Sequence, residues 1–235
     1  MSANPDQGVR YDARHAAVYD RKIRQLIPGY ETLHELSEFL LATLLPPDAR
    51  ILVAGSGSGE ELLRYARRGP GWSLVGVEPS TDMNQLAAAK LEEAGITERV
   101  SLLQGKPGEV VLGEGYNAVT SLLVMHFLPD DGAKAAYLKA LATALRPGGW
   151  LLLADLGGER GETGFERLFA TWRAQQDASR DRPEQVALDF THLGTNVHPL
   201  AEARRASLLA EAGLELVQEY WRALGLAAVL LRRCE

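Results

Sequence analysis

The stretch ILVAGSGSGEELLRYA, residues 51–66, decides the fold class of this chain of 235 residues. Its first four residues are apolar and predict a buried strand, and residues 60–68 predict a helix. Between them, glycines alternate at positions 55, 57 and 59, which is typical of a turn whose backbone contacts a nucleotide-like ligand. Three ligand classes remain to be separated: a dinucleotide, a triphosphate, and a nucleoside without phosphate.

Short apolar runs alternate with helix-like stretches over the middle of the chain. Each run is continuous rather than alternating, as expected for strands that helices cover on both faces. The predicted strands are residues 51–54, 73–78, 100–104, 117–124 and 150–155. The predicted helices between them are residues 60–68, 81–94 and 132–145, the last ended by Arg146-Pro147-Gly148-Gly149. This alternation predicts an α/β fold with a Rossmann-like, doubly wound parallel sheet.

The two flanks of this core cover the sheet and complete it. Residues 31–44, after the turn Pro28-Gly29-Tyr30, predict an amphipathic helix, and residues 200–212 predict another. LELVQEYW (214–221) and LGLAAVLL (224–231) predict a closing antiparallel pair, which brings the sheet to about seven strands. We predict a single domain over 1–235 with four parts: an N-terminal helical cover (1–48), a ligand-binding core (49–156), a lid insertion (157–199), and a final helix with antiparallel strands (200–235).

Residues 157–199 form the irregular part of the pattern. GGERGETG (157–164) precedes a polar helical stretch that contains Phe165, Phe169 and Trp172, and DASRDRPEQ (177–185) follows it. The segment comes after the carboxyl end of the fifth strand, which is the edge where open α/β sheets bind ligands. Because long connections of this kind are typical of substrate lids, we predict a mobile lid.

The residues after the glycines separate the three ligand classes. A dinucleotide site requires Gly or Ala where Glu60 stands, and a triphosphate loop requires Gly-Lys-Ser/Thr where Glu60 and Glu61 stand. Two carboxylates at a helix start suit its dipole but repel a pyrophosphate. Glu78 ends the second strand nineteen residues after Gly59, where a carboxylate can accept two hydrogen bonds from a ribose diol. With Met83 one turn further to pack against adenine, the sequence favours a ligand with sugar and base but no phosphate.

Composition narrows the class of partner. The net charge is −6 and the pI is near 5.5, whereas phosphate contacts to nucleic acid need clustered Lys and Arg. The one cysteine, Cys234, cannot form an internal disulfide, which fits a reducing compartment. The polar start MSANPDQGVRYDARH lacks the apolar core of a signal peptide, and LGLAAVLL is too short to span a bilayer. We expect a soluble, cytoplasmic protein with no membrane or nucleic-acid partner.

Four motifs follow one another in the order VAGSGSGE (53–60), VEPSTDM (77–83), YNAVTSLLVMHFL (116–128) and LRPGGWLLLAD (145–155). In this order they resemble class I S-adenosylmethionine-dependent methyltransferases. A narrower resemblance covers nearly the whole chain: YDARHAAVYDRKIRQLIPGY (11–30) and EAGLELVQEYWRALGLAAVLLRR (211–233) are similar to the carboxy-S-adenosylmethionine synthase family. That family belongs to the pathway of tRNA wobble-uridine modification and turns S-adenosylmethionine and prephenate into a carboxylated sulfonium.

The resemblance implies S-adenosylmethionine as the cofactor and assigns its contacts. Tyr30 would approach the methionine carboxylate, and Leu122 would lie where the fourth strand meets the sulfonium. The glycine turn would line methionine and ribose, Glu78 and its neighbour would hold the ribose and flank adenine, and residues after the third strand would meet the adenine amine. The implied set, besides Tyr30, Leu122 and the adenine-packing Met83, is Gly55, Ser56, Gly57, Gly59, Glu78, Pro79, Lys106 and Pro107.

Three positions depart from the family pattern. Val53 stands where the family usually has an acidic residue two before the first glycine, and Asn117 stands where the fourth strand often begins with Asp. Lys106 replaces an Asp that accepts a hydrogen bond from the adenine amine, and a lysine has donors but no acceptor. Either backbone groups read adenine, or Lys106 is a surface residue.

Methyl transfer needs alignment of donor and acceptor more than it needs a catalytic signature. His126 follows the fourth strand near the expected acceptor and could accept its proton as a general base, or could be a capping or core-edge histidine. His192, His198 and Asp189 are compatible with a metal site, but a loop without a metal explains them better. We predict no metal site. Tyr11, Tyr19 and Trp172 either line the pocket or pack the N-terminal segment over the core.

We predict an S-adenosylmethionine-dependent methyltransferase with a small-molecule acceptor, and a homodimer is one option for its assembly. One alternative is a carboxy-S-adenosylmethionine synthase-like enzyme, and another is a non-catalytic S-adenosylmethionine-binding protein. The resemblance implies that the synthases pair their extra carboxylate with an arginine from the segment after the fifth strand. Residues 183–200 contain no Arg or Lys, although Arg180 and Arg182 precede them, and Leu122 replaces the family's Asn. These differences favour a plain methyl donor.

Overall fold

The computed structural model describes residues 13–235, and it describes side chains from residue 20 onward. The strands in this part of the chain are β1 (Arg50–Ala54), β2 (Ser73–Glu78), β3 (Val100–Gln104), β4 (Tyr116–Leu122), β5 (Leu145–Leu156), β6 (Leu214–Ala223) and β7 (Leu226–Arg233). The α-helices are α1 (Ala13–Leu26), α2 (Tyr30–Leu44), α3 (Glu60–Arg68), α4 (Thr81–Glu93), α5 (Ala133–Ala144), α6 (Thr163–Ser179), α7 (Pro183–Asn196) and α8 (Glu202–Glu211).

The strands form one sheet in the order β3-β2-β1-β4-β5-β7-β6. Pairs from β3 to β5 are parallel, and β7 is antiparallel to both β5 and β6. The predicted Rossmann-like, doubly wound sheet with an antiparallel last pair is therefore confirmed. The strand order reverses between the parallel neighbours β1 and β4, where Val53 lies opposite Thr120. Open α/β sheets bind ligands at the carboxyl ends of the two strands at such a switch point.

Helices cover both faces of the sheet, as the continuous apolar strands predict. Ile51 and Val53 of β1 point into the core layer that also contains Leu62 of α3 and Leu33 of α2. Their neighbours Leu52 and Ala54 point into the opposite layer, which is closed by α5 and α8. This alternation of side chains is the normal consequence of the strand period of two. Among the described helices, none has the length and apolar character needed to cross a membrane.

The Pro147-Gly148-Gly149 segment belongs to β5 and is strand rather than a turn before it. We predicted a helix to residue 145 and a strand from residue 150, but α5 ends at Ala144 and β5 begins at Leu145. The register with β4 is irregular there, since Tyr116 pairs with Leu145 while Ala118 pairs with Trp150. Proline is tolerated at the start of a strand or beside a bulge, so the motif does not interrupt the pairing.

The insertion (residues 157–199) is more regular than its sequence suggests. We predicted one polar helical stretch among irregular residues, but the segment forms the two helices α6 and α7. The missed helix α7 begins with Pro183, a residue well suited to the first helical position. Its buried residues Val186, Phe190 and Leu193 recur at helical spacing. Whether the insertion moves as a lid stays a prediction.

The insertion is anchored to α1 by polar contacts. Trp172 Nε1 donates a 2.7 Å hydrogen bond to the carbonyl oxygen of Leu26, and Lys22 Nζ lies 2.6 Å from Asp189 Oδ1. Trp172 is only 1% exposed and contacts Phe190 edge-on. Of the two roles left open for Trp172, this burial favours packing of the N-terminal segment. Tyr11 and the side chain of Tyr19 lie outside the described residues.

Candidate functional site

The glycine loop (residues 55–59) connects β1 to α3 and needs its glycines for two different reasons. Gly55 and Gly59 have φ of +79° and +87°, and a Cβ at Gly55 would lie 2.5 Å from Val124 Cγ2. These positions are tight because the chain itself approaches them. Gly57 also has a positive φ, of +49°, but a Cβ there would meet nothing within 4 Å. Its backbone therefore borders open space where a ligand can approach.

Glu78 is held against the glycine loop by backbone hydrogen bonds. Its Oε2 accepts from the Gly57 amide at 3.1 Å, and its Oε1 accepts from the Ser80 amide at 2.9 Å. Burial raises the pKa of this carboxyl, and the two amide donors oppose that rise. A carboxylate can accept about four hydrogen bonds, so two donors leave capacity for a ribose diol. The two amides thus fix the orientation of the Glu78 carboxylate, and its contact with a ribose stays a prediction.

The other predicted residues near this carboxylate differ in exposure. Ser56 is 5% exposed, and its hydroxyl has no hydrogen-bond partner among the described residues. Met83 is 2% exposed at the start of α4, whereas Pro79 is exposed. The Ser56 hydroxyl lies against Gly76 of β2, 2.8 Å from where a Cβ of that residue would be. The remaining acceptor capacity of the Glu78 carboxylate is the feature that fits S-adenosylmethionine, at its ribose.

Lys106 lies on the surface of the molecule. Its side chain is 57% exposed, and its Nζ is 3.7 Å from Glu109 Oε1. The neighbouring Gly105 amide donates a 3.1 Å hydrogen bond to the carbonyl oxygen of Glu78. Pro107 pairs with Val110 in an isolated bridge. This placement favours backbone groups over the Lys106 side chain for any contact with adenine.

The chain is strained where β4 ends. Leu122 is 5% exposed and belongs to the same core layer as Val53. Leu123 follows with φ of +63°, and its amide donates a 2.7 Å hydrogen bond to the Ala154 carbonyl oxygen of β5. Positive φ is uncommon outside glycine and costs about 1–3 kcal/mol, so such residues tend to cluster at functional sites. Sequence reasoning missed Leu123 because no leucine signals this conformation.

His126 is paired with a carboxylate that the sequence analysis did not assign to the site. Its Nδ1 lies 2.6 Å from Asp155 Oδ1, and its amide donates to the same oxygen at 2.9 Å. His126 is 5% exposed and Asp155 is 3% exposed. The buried Lys134 donates a 2.8 Å hydrogen bond to the Met125 carbonyl oxygen, one residue before His126. Asp155 is the last residue of the predicted fifth strand. Its place at a strand end was the only feature of the sequence that pointed to a role in the site.

The N-terminal cover approaches the glycine loop through charged residues. Arg24 of α1 lies 2.7 Å from Glu60, which also accepts a 2.7 Å hydrogen bond from Arg64. Asp20 of α1 forms hydrogen bonds with Ser58 of the loop and with Lys90 of α4. The cover is thus bonded to the loop.

Tyr30 begins α2 and is 9% exposed, with its ring centroid 4.2 Å from that of His34. The Arg24 guanidinium carbon lies 5.7 Å from the centre of the Tyr30 ring. Burial lowers the pKa of His34 to about 3, so His34 is neutral at physiological pH. Contact of Tyr30 with the methionine carboxylate stays a prediction.

The histidines of the insertion do not converge with Asp189. Asp189 binds Lys22 and Arg180, and their hydrogen bonds lower its pKa although burial would raise it. His192 Nδ1 lies 2.8 Å from Asn196 Nδ2, and His198 is exposed. Residues 20–235 hold no cluster of three or more His, Cys, Asp or Glu side chains suited to a metal ion.

A cavity of about 310 Å³ opens beside the carboxyl end of β5. Gly157, Phe165 and Leu200 form part of its wall, and Arg205 and Arg222 also line it. This cavity is at the ligand-binding edge of the sheet, but none of the predicted cofactor residues lines it. It therefore does not identify the acceptor site.

Comparison with curated proteins finds relatives that match part of this chain. A carboxy-S-adenosyl-L-methionine synthase of Campylobacter jejuni subsp. doylei is 32% identical over 93 residues, and one of Vibrio cholerae is 23% identical over 147 residues. These alignments cover 40% and 62% of this chain. They span only 40% and 59% of the relatives' own lengths.

Solved structures and a family model extend the comparison over the whole chain. A solved structure from Methanococcus maripaludis, described as an S-adenosyl-L-methionine-dependent methyltransferase, superimposes on this chain with a TM-score of 0.65 at 16% identity. The superposition covers 100% of this chain and 98% of the other chain. At this identity the likeness shows the fold alone, which is the class I methyltransferase fold. The model of the family described as "Methyltransferase domain" matches residues 19–219. The chain therefore belongs to the methyltransferase domain family.

Proposed function

We propose that this protein transfers the methyl group of S-adenosylmethionine to a small-molecule acceptor. The observation that carries the proposal is Glu78, whose carboxylate is fixed by the Gly57 and Ser80 amides at the carboxyl end of β2, beside the glycine loop. A carboxylate so oriented is suited to a ribose diol. Glu60 stands where a dinucleotide loop requires Gly or Ala, and Glu60 and Glu61 stand where a triphosphate loop requires Gly-Lys-Ser/Thr, so the sequence of the loop disfavours a pyrophosphate.

The residues of the chain would bind and orient the cofactor, which supplies an activated methyl group on its sulfonium. The open backbone at Gly57 would lie against methionine and ribose, and Glu78 would accept from the ribose hydroxyls. Buried Met83 would support adenine, and Leu122 would give the sulfonium an apolar neighbour. Because the methyl carbon is already activated, alignment of the acceptor would supply much of the rate.

His126 is the proposed general base for an acceptor that loses a proton. Asp155, 2.6 Å from Nδ1, would favour a proton on Nδ1 and so leave Nε2 as the acceptor of the substrate proton. The alternative role of His126 is structural, since its amide donates a hydrogen bond to Asp155 and so fixes the turn after β4.

We infer that the acceptor is a small molecule, because the acidic chain offers little attraction for nucleic acid. A cytoplasmic location and a homodimer stay parts of this proposal. The test is incubation with methyl-labelled S-adenosylmethionine and separate panels of small phenols, amines and carboxylic acids, with bulk tRNA as a further acceptor. Label on one small-molecule class, lost in the variant Glu78→Ala, is expected. Label on tRNA alone would contradict the proposed acceptor class.

A second candidate is a carboxy-S-adenosylmethionine synthase-like activity, which the named curated relatives favour. Such a product adds a carboxylate to the pocket, and a buried carboxylate needs a cationic partner such as arginine. Arg180 is already 2.8 Å from Asp189, and residues 183–200 offer no other cation. We therefore expect no carboxylated product from prephenate and S-adenosylmethionine by mass spectrometry, and its formation at enzymatic rates would establish the second candidate.

The third candidate, a protein that binds S-adenosylmethionine without catalysis, rests on Val53 and Lys106. Saturable cofactor binding with no label transfer to any panel would favour it over methyl transfer.

A further inference from the structure

Glu61 is a buried carboxyl group beside the glycine loop and has no cationic partner among the described residues. It is 6% exposed in the first turn of α3. Its Oε2 accepts a 2.7 Å hydrogen bond from Thr120 of β4 and a 3.2 Å hydrogen bond from Tyr65. In the described part of the chain, Oε1 accepts no hydrogen bond. Burial of a carboxyl oxygen without a hydrogen-bond partner costs free energy of folding, and a bound ligand can supply the missing donor.

The position of Glu61 is defined by the switch point. Thr120, its hydrogen-bond donor, lies opposite Val53 of β1, two residues before the glycine loop. The carboxyl group is therefore bonded to β4, one of the two strands at the switch point where open α/β sheets bind ligands. Val53 itself is apolar and supplies no charge there.

The other acids around the loop already have partners. Glu60 is paired with Arg24 and Arg64, and Asp20 is paired with Lys90. Glu78 is bound by two backbone amides. Of these acids, Glu61 and Glu78 thus lack a cationic partner among the described residues, and Glu61 alone also lacks a backbone donor.

We propose that Glu61 is the recognition residue for the α-ammonium group of the cofactor's amino-acid moiety. The inference rests on the proposed binding of S-adenosylmethionine at this loop. An ammonium is a compact cation with three donors, and it would complete Oε1 and supply the missing positive charge. Glu61 would then distinguish amino-acid-bearing adenosine thioethers from those without the amino acid.

The protonation of Glu61 gives the inference a second, independent consequence. Burial raises the pKa of Glu61 to about 7, so near neutral pH part of the free protein carries a proton there. An ammonium would favour the ionised form, and binding near pH 7 should release a proton. Affinity should therefore rise between pH 6 and pH 8.

The charged and titratable groups that face Glu61 do not titrate in that range. Burial raises the pKa of Tyr65 of α3, Tyr137 of α5 and Tyr220 of β6. Burial would raise the pKa of Glu60, but hydrogen bonds and charge from Arg64 and Arg24 hold it below its usual range. The pKa of Glu78 is also raised by burial, but Glu78 would contact the ribose of adenosine thioethers with and without the amino acid. A difference in proton release between these two kinds of ligand therefore reports the protonation of Glu61.

The experiment compares S-adenosylhomocysteine with 5′-methylthioadenosine, which lacks the amino acid, by isothermal titration calorimetry. Glu61→Gln should weaken S-adenosylhomocysteine binding at least tenfold and change methylthioadenosine binding less than twofold. Gln retains an oxygen for Thr120 and Tyr65, and thermal unfolding of the free variant verifies the fold. Glu60→Gln, at the adjacent position, is the matched control and should not discriminate between the two ligands.

Wild-type titrations in two buffers of different ionisation enthalpy supply the readout that needs no variant. Greater proton release with S-adenosylhomocysteine than with methylthioadenosine at pH 7 is expected. Equal proton release, or equal loss of both ligands in Glu61→Gln, would overturn the role of Glu61 while leaving the proposed function intact. Failure of the wild-type protein to bind either ligand would instead overturn the proposed function and this inference with it.

Discussion

Replacing Glu78 with alanine should separate the cofactor role of this residue from its structural role. The carboxylate accepts from the Gly57 and Ser80 amides, so its removal leaves two part-buried donors without their partner. An unsatisfied buried donor costs about 1–3 kcal/mol, and about 1 kcal/mol lowers the Tm of a domain of this size by roughly 2–4 °C. The variant should thus remain folded but melt several degrees below the wild-type protein.

The effect of Glu78→Ala on ligand binding should be larger than stability alone explains. Two hydrogen bonds from a ribose diol to a carboxylate contribute about 1.5–3 kcal/mol each, so S-adenosylhomocysteine affinity should fall at least tenfold. Isothermal titration calorimetry below the melting range measures this loss. The exposed Glu109, after the third strand, gives the control Glu109→Ala, which should bind like the wild-type protein. Wild-type affinity in folded Glu78→Ala would refute the assignment of Glu78 to the ribose.

Three further expectations test other parts of the molecule. Hydrogen exchange over residues 157–199 should slow when cofactor and acceptor are both bound, and equal protection in the free protein would identify the insertion as a fixed part of the fold. Lys106→Ala should change cofactor affinity less than twofold because its side chain is 57% exposed, and a tenfold loss in calorimetry would show a direct contact. Burial raises the pKa of Glu61 to about 7 from an ordinary value of 4.5, so the folded state holds this proton more tightly. The free energy of unfolding should therefore fall between pH 5 and pH 8, by at most about 3 kcal/mol, and denaturant titrations of Glu61→Gln should lack this fall.

The sheet could be predicted from sequence because its strands and helices differ in local pattern. The core helix α3 matches its predicted range, and the turn at Leu224-Gly225 has the positive φ values, +44° and +87°, of a two-residue hairpin. The insertion was harder to predict, because the buried positions of α7 are few and stand among polar residues, and one of its partners, Lys22 of α1, lies more than 150 residues earlier. A contact between residues so far apart leaves no signal in the local sequence.

Some residues of the candidate site could be predicted from sequence, and others could not. The glycine loop and Glu78 were visible because a tight turn and a strand end constrain residue type. The sequence did not reveal the roles of Asp155 and Leu123, because these depend on which strand lies beside β4. It also did not reveal that Glu61 lacks a cationic partner among the described residues, because this depends on which other acids are paired with cations. The exposure of the Lys106 side chain also depends on tertiary structure. At this point the chain is bonded to β2 through the Gly105 amide, which donates to the carbonyl oxygen of Glu78, and not through the Lys106 side chain.

The most direct test of the account is a calorimetric titration of the purified wild-type protein with S-adenosylhomocysteine, repeated with NAD and with ATP. We predict saturable binding of one S-adenosylhomocysteine per chain and no binding of the two phosphate-containing ligands, because Glu60 and Glu61 replace the residues that dinucleotide and triphosphate loops require at the start of α3. Comparable binding of NAD or ATP, or no binding of S-adenosylhomocysteine, would contradict the claim that the glycine loop and Glu78 form a nucleoside site for this cofactor.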